Sequence, residues 1–64
     1  MSAGKLQAGV RKSLGLRQVE VAKEAKIDRS RLSLIENEWI EPRPEEVVRI
    51  KDAIQKLTEK HYQE

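Results

Sequence analysis

The chain has no cysteine, and this limits what it can fold into more than any other feature. At 64 residues it lies near the lower size at which a polypeptide buries enough surface to fold alone. Neither a disulfide nor a thiolate-bound metal can brace it. One Trp, one Tyr and no Phe make its core aliphatic, and 38% charged residues keep that core thin. A partner, such as a second copy of the chain, would supply missing burial.

The apolar residues fall in helical spacing, so the expected class is all-α, with four to five helices. Leu6, Val10 and Leu14 stand at i, i+4 and i+8 on one face of a first helix over about Lys5 to Leu14. Gly9 costs that helix about 1 kcal/mol relative to alanine, and Gly15 offers a stop. A second helix runs from Gln18 to Ala25, with Val21, Ala22 and Ala25 on one side. Lys26, Ile27 and Asp28 interrupt it. Asp28 is placed to cap a third helix, Arg29 to about Asn37, by accepting from its free N–H groups. Pro42 and Pro44 make a loop of the next stretch. Pro44 suits the first position of a fourth helix, and Glu45 and Glu46 suit its positive end. That helix carries the stripe Val47, Ile50, Ile54 and Leu57, with His61 next in register. Two heptads are too short for a dependable coiled coil, so the stripe reads as core.

No stretch approaches the roughly 18 apolar residues of a membrane span, and no signal-peptide core opens the chain. A soluble, cytoplasmic protein is expected. Charge is unevenly shared. Residues 1–34 hold eight Lys/Arg against three Asp/Glu, and residues 35–64 hold five against eight. One basic half and one acidic half would suit one-sided contact with a polyanion.

Two short helices separated by three residues, the second opening on Arg29, Ser30 and Arg31, have the layout of a helix-turn-helix. In that geometry the first helix crosses the DNA backbone and the first turn of the second enters the major groove. Base edges are read by hydrogen-bond donors and acceptors, which Arg and Ser provide. The run Gly15 to Ala22, with Gln18 four residues before Ala22, then Ile27 to Asn37, with Ser33, Ile35 and Glu36, and then Pro42, resembles the XRE family of phage repressors and Cro proteins. The likeness covers about Leu6 to Ile54.

The resemblance implies a single DNA-binding domain over 1–64, with its helix-turn-helix unit at about 17–37 and its C-terminal helix at about 45–61. It further implies a homodimer on a pseudo-palindromic site in double-stranded DNA, near the nucleoid. By position, Arg29, Ser30 and Leu34 match base readers. Gln18, Arg31, Ser33, Asn37 and Arg43 match backbone contacts, and Glu36 matches an internal structural acid. For Arg31 a base contact also stays open. Leu34 faces either a thymine methyl or solvent, and the serines either DNA or water. Lys5, Arg11, Lys12, Lys23 and Lys26 read as solvated charges. Val19 and Lys23 occupy positions where activators of the family often carry acids, which favours repression.

The chain departs from the family in places. Arg17 stands where a capping Ser or Thr is usual, and Lys26 and Glu38 stand where Gly is usual. Lys26 is expected in the left-handed region. Trp39 and Ile40 either fold back over the fourth helix or form a dimer or partner surface; self-association is the preferred reading.

Repression in a mobile element or bacterial genome is the leading functional expectation. An excisionase-like architectural factor and an antitoxin-like protein-interaction module are the alternatives. An enzyme is excluded on chemistry: no Cys, one terminal His, no Gly-rich phosphate loop and no clustered acid–base pair. Neither a cofactor nor a metal is expected.

Overall fold

The computed structural model describes the backbone of residues 3–62 and the side chains of residues 6–60. Among the described residues there are four helices: α1 (Ala3–Ser13), α2 (Gln18–Ala25), α3 (Arg29–Glu36) and α4 (Pro44–Tyr62). Pro44 begins α4 as expected, since its missing N–H and fixed φ cost nothing in a first turn. The side chains of Lys5 and His61 lie outside the described residues.

The first three helices end the same way. Leu16 N–H bonds Arg11 C=O, Ile27 N–H bonds Ala22 C=O, and Trp39 N–H bonds Leu34 C=O, each reaching back five residues. A bond from the preceding residue, reaching back three residues, accompanies each. These are Schellman closures, which need a left-handed residue at the turn. Gly15 takes it at φ 72°, Lys26 at φ 58° and Glu38 at φ 62°. The left-handed Lys26 is therefore as expected. A side chain in this region costs about 1 kcal/mol or more. We expect Lys26→Gly to raise unfolding free energy by about 0.5–1 kcal/mol, read as a higher urea midpoint; an unchanged or lower midpoint would show that the turn is unstrained.

The start of α3 departs from expectation. Asp28 has the extended backbone of a cap and its carbonyl accepts from Leu32 N–H at 2.9 Å, but its carboxylate makes no capping hydrogen bond. The residue is exposed, which leaves its carboxylate open to solvent. At Arg17 the side chain offers no acceptor to the free N–H groups of α2, as expected, and only the reverse half of a capping box forms: its backbone N–H donates to Glu20 Oε1 at 3.2 Å.

The core is aliphatic. Leu32, Ile35, Ile50 and Val21 are its largest fully buried side chains, joined by Ile54, Leu57 and small alanines. α2 packs chiefly on α4, and α1 bridges α3 and α4. Ile50, Ile54 and Leu57 are buried as the stripe implied, with Val47 half-buried. The α1 stripe behaves otherwise. Leu6, Val10 and Leu14 are 53%, 39% and 40% exposed, while Gln7, Ala8 and Arg11 face inward.

Candidate nucleic-acid interface

α2, the turn Lys26–Asp28 and α3 must hold a fixed angle if α3 is to present one face outward. Three polar ties hold it. Arg11, expected as a solvated charge, is instead buried and grips Glu36 at the end of α3: Nε donates to Oε2 and Nη2 to Oε1, both at 2.8 Å. Its Nη1 donates to the Leu16 carbonyl at 2.8 Å, which joins the α1–α2 connection to the same knot. Gln18 Nε2 donates to Glu36 Oε1 at 3.0 Å. The internal structural role expected for Glu36 is thus what the geometry provides.

The second tie joins α3 to the start of α4. Arg31 donates through Nε and Nη2 to both oxygens of Glu46, which also accepts from the Arg43 backbone N–H at 2.8 Å. Arg31, matched by position to a DNA-backbone contact, has its planar fork turned onto an internal acid: the fork fits a carboxylate two-for-two, and Glu46 lies buried within reach. The third tie is Arg49, whose Nε and Nη2 donate to the carbonyls of Ala25 at 3.0 Å and Lys26 at 2.6 Å. A cation there satisfies open carbonyls at the negative end of α2.

The Arg31 hydrogen bonds, helped by the Arg43 N–H and opposed by burial, lower the Glu46 pKa from 4.5 to about 2. A depressed carboxylate adds stability that is complete above the unfolded value and is lost as pH falls through the folded one. Stability from this pair should therefore decline between about pH 4.5 and pH 2. With solvent screening around the partly exposed Arg31, its size should be about 1–2 kcal/mol. The difference in urea midpoint between parent and Glu46→Gln should be full at pH 6 and shrink toward pH 2; a constant difference would contradict the pairing.

With those charges internally matched, the outer side of α3 is left for other work. Arg29, Ser30, Ser33 and Leu34 line one open surface there. Arg29 is exposed and enters none of the ion pairs among the described residues. Leu34 is exposed and Ser33 half-buried. Asn37 folds its Nδ2 onto the Ser33 carbonyl at 2.8 Å, closing the end of the helix. Arg43 is exposed beyond it, 4.0 Å from Glu45.

A family model described as helix-turn-helix, HTH_3, matches residues 9–59. The chain belongs to this XRE-type helix-turn-helix family. The all-helical architecture agrees with it, and the family makes this a DNA-binding domain. No curated protein and no solved structure matched the chain. Among the described residues the helix-turn-helix domain has no cluster of metal-ligating side chains, and no helix is long and apolar enough to cross a membrane.

Local pattern could not find the domain's tying residues. Arg11 and Glu36 are 25 positions apart, Arg31 and Glu46 15, and Arg49 and Ala25 24. The expected pair Trp39–Ile40 is divided by the fold: Ile40 packs against the core, while Trp39 is 77% exposed.

Proposed function

We propose that this single domain over 1–64 is a transcriptional repressor of a mobile element or bacterial genome, acting in the cytoplasm as a homodimer on a pseudo-palindromic operator. Arg29, Ser30 and Leu34 read base edges from the first turns of α3. Gln18, Ser33, Asn37 and Arg43 position the helix on the phosphate backbone, with the second N–H of the Gln18 amide as its donor. Arg31 acts here as a brace through Glu46 and has no DNA contact assigned.

The observation that carries this reading is the shared open surface of Arg29, Ser30, Ser33 and Leu34, with Arg29 in no ion pair among the described residues while Arg11 and Arg31 are held by internal acids. An arginine with a free fork can donate twice to guanine O6 and N7. Repression is supported by Val19, 51% exposed, and Lys23, also exposed, since neither offers the acid that family activators often present.

Genomic footprinting with the native chain tests the proposal, followed by a salt series on the strongest site. Footprints should overlap promoters, and log affinity should fall by about 0.9 per decade of salt for each phosphate neutralised. Footprints confined to recombination attachment sites would replace repression with an architectural role.

A further inference from the structure

An apolar groove runs between α1 and α4, lined by residues other than those of the α3 surface. Leu6, Val10 and Leu14 form one wall, and Ile54 contributes to the other. These α1 residues are the largely uncovered stripe described above, so the groove leaves aliphatic surface in water. Its α4 rim carries Lys51, Gln55 and Glu59.

That rim has a particular order. The three residues stand at i, i+4 and i+8, one row on a helix about 12 Å long. They are arranged evenly about Gln55: a cation one turn before it and an anion one turn after. If a second copy of α4 lay antiparallel across the row with its two-fold axis at Gln55, each Lys51 would meet the other copy's Glu59. Gln55, whose Nε2 donates to Glu59 Oε1 at 3.4 Å within the chain, would meet its own counterpart through its second N–H and its carbonyl, since an amide both donates and accepts. Two-fold contacts require such a self-complementary patch, in which residue i meets j and j meets i. Lys51 enters none of the ion pairs among the described residues, so its charge is available.

We propose that the α1–α4 groove is the surface on which two copies of this chain associate, antiparallel about Gln55. The inference rests on the homodimer reading above and gives it a location other than Trp39. The groove shares no lining residue with the α3 surface, so association leaves the reading face uncovered. The apolar strip is narrow, which places association in solution near micromolar affinity or weaker. Adjacent half-sites on DNA would then strengthen it through effective concentration.

Sedimentation equilibrium of the full chain tests this over roughly 10–500 µM. The parent should form a concentration-dependent dimer. Lys51→Glu and Glu59→Lys alone each create two like-charged contacts and should weaken it about tenfold or more. The double variant restores both pairs with signs exchanged and should return within about threefold of the parent. All these positions are exposed, and far-UV circular dichroism verifies that each variant folds. A parent that stays monomeric throughout overturns the proposal. So does a dimer insensitive to both single changes, whether or not Trp39→Ala abolishes it. Binding to a duplex carrying one half-site is measured alongside: its absence in the parent would refute the DNA-reading assignment of α3 while leaving the sedimentation result intact.

Discussion

Arg29→Ala should relax sequence preference while leaving the domain folded. A bidentate arginine–guanine contact is worth about 1–3 kcal/mol of discrimination against the wrong base, roughly 5- to 150-fold. Arg29 is exposed and makes no ion pair among the described residues, so its removal should change unfolding free energy by no more than about 0.5 kcal/mol. The measurement is relative affinity across all single-base variants of the footprinted site, for parent and variant. Preference should flatten at one position in each half-site and persist at the others. A uniform loss across every variant would mean that Arg29 meets phosphate, and unchanged ratios would remove it from the base readers.

The second large effect is expected in stability. Glu36 is held by Arg11 and Gln18 together, and both members of the Arg11 ion pair are almost wholly buried. Removing one partner of a buried pair leaves the other charge without water or a counter-ion, which costs about 3–5 kcal/mol. A chain of 64 residues has only about 3–10 kcal/mol in total. Glu36→Ala should therefore be largely unfolded near room temperature, or lose most of its urea midpoint. The double replacement Arg11→Met with Glu36→Leu should recover much of the loss, because it also removes the stranded charge. A Glu36→Ala variant within 1 kcal/mol of the parent would show that the knot adds nothing net. Since Gln18 opens α2 and Glu36 ends α3, partial unfolding here should abolish DNA binding along with stability.

How much of this was readable in advance depended on the range of the interaction. Helix limits came through because their causes are local: Gly15 and Pro44 announce themselves, and the resemblance put a left-handed turn at Lys26. The α4 core stripe also came through, since Ile50, Ile54 and Leu57 have no other side to bury. Periodicity misled at α1. It identifies which side of a helix is apolar, not which side is covered, and α1 buries the side carrying Gln7 and Arg11. Polar ties were beyond reach for the same reason. Arg11 looks like any surface arginine until the fold brings Glu36 to it, and Arg31 looks DNA-facing until Glu46 arrives from α4. The outward residues of α3 were legible because an eight-residue helix with Leu32 and Ile35 buried leaves Arg29, Ser30 and Leu34 on its other side.

Titration of the isotopically labelled chain with its footprinted duplex, followed by amide chemical shifts at moderate salt, examines whether α3 enters the groove. The largest perturbations should fall on Arg29 to Leu34, with smaller ones at Gln18 and Asn37, and a scrambled duplex should produce neither at the same concentration. Shifts concentrated on α1 and α4 with α3 unmoved, or equal responses to both duplexes, would contradict major-groove reading by this helix.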